Sequence, residues 1–82
     1  MKDLVEAIIT EIVDHPESVQ VNEVAGEMTT IIELRVAPSD MGKVIGRQGR
    51  TAKAIRTLLN AAGMRANRRI EFEIVNTDEE RR

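Results

Sequence analysis

Two short runs of this chain limit its fold more than any other feature. Ile32, Leu34 and Val36 alternate with Glu33 and Arg35, and Ile70, Phe72 and Ile74 alternate with Glu71 and Glu73. A period of two puts the apolar side chains on one face of a strand and the charges on the other. A sheet that is wet on one face must be covered on the other, and helices have to supply the cover. Leu4, Val5, Ile8, Ile9, Ile12 and Val13 recur at helical spacing and predict the first of them. Asp3 and Glu6 fit a capping box of the weaker Asp type, and His15-Pro16 is expected to end the helix.

Val19 and Val21 predict a further short strand, broken at Ala25-Gly26-Glu27. The strand through Ile32 stops at Pro38, after which Ser39 and Asp40 offer N-cap oxygens to a short helix over residues 40–45. Gly46 to Gly49 interrupts that helix. A new one starts near Arg50, with Ile55, Leu59 and Ala62 on one face and Gly63 as its C′ stop. Residues 64–68 follow as a basic loop. The order is helix, strand, strand, helix, glycine loop, helix, strand, an α+β chain with a three-stranded sheet covered by three helices in two layers. At 82 residues there is one domain, expected over 1–76, with 77–82 a polar, disordered tail.

Composition removes whole classes of function. Without cysteine there are no disulfides, thiolate metal sites or thiol nucleophiles. His15 is the only histidine, and Asp14 beside it makes no ligand set, so no metal and no cofactor is expected. Ser18 and Ser39 have no base nearby in sequence, and Glu71 and Glu73 fall on the outward face of a strand. Neither set supports catalysis or a small-molecule substrate, and the chain is not expected to be an enzyme. No secretory signal opens the sequence and no apolar run approaches the ~20 residues of a membrane span, so a cytoplasmic setting without membrane contact is expected.

The net charge of −2 conceals a division. From Lys43 to Arg69 lie Lys43, Arg47, Arg50, Lys53, Arg56, Arg65, Arg68 and Arg69 with no Asp or Glu, a local +8. The four remaining basic residues and all 14 acidic ones lie elsewhere, giving that part −10. Cations sorted in this way set up a local field suited to a polyanion. A solvated helix face is the plainer alternative.

Inside the basic segment sits Gly46-Arg47-Gln48-Gly49, between two predicted helices. Glycines spaced like this let the chain reverse tightly and approach a ligand with its backbone. The helix that follows turns unpaired N–H groups and its positive dipole end to the same place, which suits a phosphate. Other phosphate loops fail. A Walker loop would need glycine at Val44 and lysine at Arg50, and a dinucleotide fingerprint needs a strand, not a helix, leading in.

The run Gly42-Lys43-Val44-Ile45-Gly46-Arg47-Gln48-Gly49-Arg50-Thr51-Ala52-Lys53-Ala54-Ile55-Arg56 closely resembles the signature of KH domains. These are RNA-binding modules whose GXXG loop clamps about four nucleotides of backbone. The N-terminal helix and strand resemble the type II arrangement. Within KH proteins the chain looks most like the small stand-alone bacterial KhpA (YlqC-like) group, over roughly Leu4 to Val75. The resemblance implies that Gly46 and Gly49 give close backbone approach and that Arg47 and Gln48 face the sugar-phosphate chain. Arg50 and Lys53 would flank the phosphates, with Lys43 one turn before the loop. Val44 and Ile45 would supply apolar surface, one lining the base groove and its neighbour joining the core, without the sequence deciding which. Arg65, Arg68 and Arg69 are weaker candidates for a continued groove.

The partner so implied is single-stranded RNA, bound without catalysis by a post-transcriptional regulator or RNA chaperone. Phe72 is the only aromatic, so an RNA-recognition motif, which stacks bases on aromatics, is excluded. Ala54, Leu58 and Ala61 form a second apolar set on the helix after the loop. The resemblance adds a homodimer, or pairing with a larger KhpB/Jag-like RNA-binding protein. A protein-interaction adaptor that acts mainly through such contacts is the alternative.

Overall fold

The computed structural model describes residues 1–75; the expected tail over 77–82 lies outside the described residues. Helix α1 spans Lys2–Ile12, strand β1 Gln20–Ala25 and β2 Thr29–Arg35. The short helix α2 covers Met41–Ile45, α3 Arg50–Arg65 and β3 Arg69–Ile74. Single 3-10 turns at Pro16–Ser18, Pro38–Asp40 and Arg47–Gly49 join them.

The sheet runs β1-β2-β3, with β1 antiparallel and β3 parallel to β2. Parallel neighbours need a long crossover, which α2, the glycine loop and α3 provide. Along β2 alternate residues are buried, and Ile32, Leu34 and Val36 are at most 2% exposed. Onto that face pack Val5 and Ile9 from α1, Val44 from α2, and Ala52, Ile55 and Leu59 from α3. Ile70 and Phe72 complete the face from β3. The α+β, two-layer order expected from the alternating runs is the observed one.

Several helix boundaries depart from expectation, twice because a distant partner intervenes. Asp3 does not cap α1; it lies inside the first turn, and Met1 holds the cap position without a side-chain bond. Leu4, counted with the apolar stripe, is 47% exposed because α1 turns Val5 and Ile9, with Ile8 in part, toward the core. The helix stops at Ile12 rather than at His15-Pro16. Val13 is extended (φ −86°, ψ 158°), and the next two N–H groups, of Asp14 and His15, donate to Asp40 Oδ1 and Oδ2 at 3.1 and 3.0 Å. Asp40 is 1% exposed and caps nothing in α2. Its carboxylate satisfies the backbone leaving α1, and so joins that end to the start of α2.

Gly63 is not a C′ stop either. It lies within α3, where a Cβ would come 2.6 Å from Arg68 O and from Ile70 Cγ1. The helix ends at Arg65, and Asn67, the second residue beyond it, takes the left-handed conformation (φ 57°). Asn67 N–H donates to Met64 O and Arg68 N–H to Gly63 O, the paired bonds of a Schellman ending. Gly63 thus serves close approach of helix and strand, and the basic loop shrinks to residues 66–68.

Candidate nucleic-acid interface

The loop between α2 and α3 has three residues with positive φ: Gly46 (78°), Gln48 (56°) and Gly49 (75°). At Gly46 ψ is 171°, a region open in practice only to glycine. A Cβ there would collide with the Thr51 hydroxyl and lie 2.8 Å from Thr51 N. At Gly49 a Cβ would meet nothing within 4 Å, so the surface there is open. Gly46 N–H donates to Gly42 O at 2.9 Å and Gly49 N–H to Gly46 O at 3.1 Å. The N–H groups of Arg47 and Gln48 have no acceptor among the described residues, and both residues are exposed.

Helix α3 begins immediately after, with no side-chain cap and no acid in its first turn. Asp or Glu would normally answer the positive end of the helix dipole. Here Arg50 and Lys53 occupy that turn instead, so the charge of the dipole and of the side chains adds. Arg50 Nη2 donates to Gln48 Oε1 at 3.1 Å, a neutral acceptor that leaves its charge in place. Arg47 and Lys53 have no side-chain partner among the described residues.

Of the other expected site residues, Val44 is fully buried and Ile45 is 40% exposed, so Ile45 alone of that pair presents a side chain to solvent. The i to i+1 step on a short helix turns one side chain inward and the next away. Lys43 points back to the chain leaving α1, where its ammonium pairs with the Asp14 carboxylate. The hydrogen bond from Lys43, reinforced by its charge, holds the Asp14 carboxyl below its usual range. The same hydrogen bond raises Lys43, with desolvation opposing it.

The structure does not gather the whole basic segment at the loop. Arg65 sits at the far end of α3, about 22 Å from Arg50 at 1.5 Å per residue. Arg68 is spent internally: Nε donates to Thr30 Oγ1 (2.9 Å), Nη1 to Glu27 O (3.1 Å) and Nη2 to Gly26 O (2.7 Å). It fastens the β1–β2 turn to the start of β3. Arg69 lies 3.9 Å from Glu71.

Arg56 has a role that composition alone did not suggest. Its Nε donates to Phe72 O at 3.4 Å and its guanidinium carbon lies 5.9 Å from the Phe72 ring centre. Arg56 thereby stands at the outer edge of β3, beside a groove of about 500 Å³ lined by Leu59, Asn60, Ile70, Phe72, Glu71 and Glu73. A second shallow depression, on the outer face of α3, is lined by Arg50, Lys53, Ala54, Thr57 and Leu58. Leu58 is 57% exposed, and Ala54 and Ala61 are exposed beside it. Among the described residues there is no group of three or more potential metal ligands, and no helix is long and apolar enough to cross a membrane.

Comparison with known proteins agrees with this geometry. The family model described as KhpA/KhpB, KH domain, matches residues 2–74. The RNA-binding protein KhpA of Clostridium acetobutylicum is 57% identical over 75 residues, covering 92% of this chain and all of its own length. That of Clostridium perfringens gives the same figures. The KhpA of Aquifex aeolicus is 49% identical over 75 residues, 92% of this chain and 95% of the relative. No solved structure matches. A loop of this shape, in a helix-strand order matched from residue 2 to residue 74, makes the chain a member of the KhpA/KhpB family of KH domains.

Proposed function

We propose that this chain binds single-stranded RNA, without catalysis, by clamping the backbone at Gly46-Arg47-Gln48-Gly49. The observation that carries the reading is the pair of N–H groups at Arg47 and Gln48, exposed and without acceptors, beside a helix start that holds cations and no acid. Phosphate oxygens supply the missing acceptors and counter-charge. Gly49 lets the backbone come close, and Arg47, Arg50 and Lys53 add attraction that falls with salt. Lys43, whose charge is shared with Asp14, adds the remainder. Bases leaving the loop pass Ile45 and enter the groove between α3 and β3, where Arg56 offers a guanidinium plane for stacking. Relatives bearing the name RNA-binding protein KhpA support the choice of RNA. A cytoplasmic post-transcriptional regulator or RNA chaperone is the role that fits such a clamp.

The test is titration of a mixed-sequence single-stranded RNA at two salt concentrations, comparing the natural chain with an Arg47→Asp, Gln48→Asp double variant. The variant should bind at least about tenfold more weakly, with circular dichroism unchanged. Equal binding by both would sink the loop assignment.

A second reading has its own support. The exposed strip Ala54, Leu58 and Ala61 on α3 suits association with another copy or with a KhpB/Jag-like partner. Light scattering should then give a dimer that Leu58→Asp converts to monomer; a monomer for the natural chain at high concentration would remove the homodimer.

A further inference from the structure

Four cations surround the loop: Lys43, Arg47, Arg50 and Lys53. Among the described residues only Lys43 is met by a carboxylate, that of Asp14. The acid comes from outside the acid-free segment, carried by the chain leaving α1. Its position is not left to chance. Asp14 N–H is held by Asp40 Oδ1 and the neighbouring His15 N–H by Oδ2, and Asp40 is itself buried at the start of α2. The same residue that ends α1 therefore sets Asp14 opposite Lys43. Of the other charges nearby, His15 Nδ1 lies 3.5 Å from Glu17, and the Asp40 carboxylate, which accepts the two N–H groups, adds a weaker attraction on Lys43 than Asp14 does.

We propose that Asp14 sets the strength of RNA binding by competing with phosphate for Lys43. The idea rests on the RNA-binding reading of the loop. In the free protein the Asp14 carboxylate takes up the ammonium of Lys43, which a phosphate oxygen would otherwise meet. The side chains are 44% and 68% exposed, so the pair is a surface one and weak enough for a polyanion to displace. RNA that recruits Lys43 must break that pair and leave Asp14 facing the backbone, which lowers affinity and hides one phosphate contact from the salt dependence. Asp14 is thus an affinity-determining residue that never touches the ligand favourably.

The experiment measures affinity of a mixed-sequence single-stranded RNA across a salt series for the full chain, Asp14→Asn, Lys43→Ala and the double variant, with Glu17→Gln as a charge control. Asp14→Asn should tighten binding about two- to fivefold at low salt, the range an exposed pair is worth. It should also steepen the salt slope by up to about 0.7, the share of one single-strand phosphate contact. The gain should vanish in the Lys43→Ala background, and Glu17→Gln should leave affinity unchanged. An equal gain with and without Lys43, or from Glu17→Gln, would mean a general charge effect and overturn the competition. The loop double variant Arg47→Asp, Gln48→Asp keeps the two ideas apart. If it loses binding while Asp14→Asn gains nothing, the competition is wrong and the RNA reading stands; if it binds like the natural chain, both fall.

Discussion

At one end of α3, Gly46 and Gly49 flank Arg47 with Arg50 alongside; at the other, Gly63 lies in the last turns, close to Arg65 and Arg68. Both ends are basic, free of acid and glycine-bearing, yet their surroundings treat them differently. Arg68 meets the β1–β2 turn, whose Gly26 and Glu27 carbonyls and Thr30 hydroxyl accept its guanidinium. Gly63 disappears beneath Arg68 O and Ile70. No turn packs over the other end, so Arg47 and the loop N–H groups face solvent. An arginine becomes a structural clamp where unpaired carbonyls are supplied to it, and remains available to a ligand where they are not.

Five experiments can break or sharpen this contrast. The largest effect belongs to the buried glycine. Gly63→Val should cost about 3 kcal/mol of stability in urea melts, because backbone and core must both shift. Its folded fraction should bind RNA as before. Arg68→Ala should follow at about 2 kcal/mol, leaving the buried Thr30 hydroxyl and turn carbonyls without their donor, again with affinity unaltered. If either change weakened RNA binding as strongly as stability, the two ends would not be separable.

The loop should show the reverse pattern. Arg47→Asp with Gln48→Asp should lose about 1.4 kcal/mol or more of binding with a thermal midpoint close to that of the natural chain. Gly49→Ala should cost about 1 kcal/mol of stability from its left-handed backbone alone, since its Cβ would meet open space. A markedly larger loss would mean that something packs against Gly49.

The smallest effect is the pH dependence of the Asp14–Lys43 pair. A carboxyl held below its ordinary range stabilises the fold above that range and loses the contribution as pH falls through its lowered pKa. A raised ammonium stabilises below the ordinary lysine range and loses it as pH rises through the raised pKa. The natural chain should therefore exceed Asp14→Asn in thermal midpoint by a constant margin from about pH 5 to about pH 9, with the margin closing in stronger acid. A margin that widened in acid would contradict the assigned pair.

Much of the fold was legible because it is written in local periodicity. Ile32, Leu34 and Val36 had to share a face, as did Ile70, Phe72 and Ile74, whatever lay opposite. The loop was legible too, since two glycines between helical segments and an acid-free run are linear features. What stayed hidden depended on residues far apart in the chain. Asp40 resembled a helix cap by position, but its carboxylate reaches N–H groups of Asp14 and His15, 26 and 25 residues away. Gly63 resembled a helix stop until β3 was found lying against it.

By itself, then, the sequence determined the elements, their order, the buried face of each strand and the place of the glycine loop, because these follow from short-range pattern and backbone sterics. Only the tertiary structure decided that Val44 enters the core while Ile45 stays out, that Arg68 serves the fold while Arg47 stays open, and that Asp14 reaches Lys43. Each of those outcomes turns on which groups a distant segment brings within hydrogen-bonding or packing distance, and no local pattern carries that information.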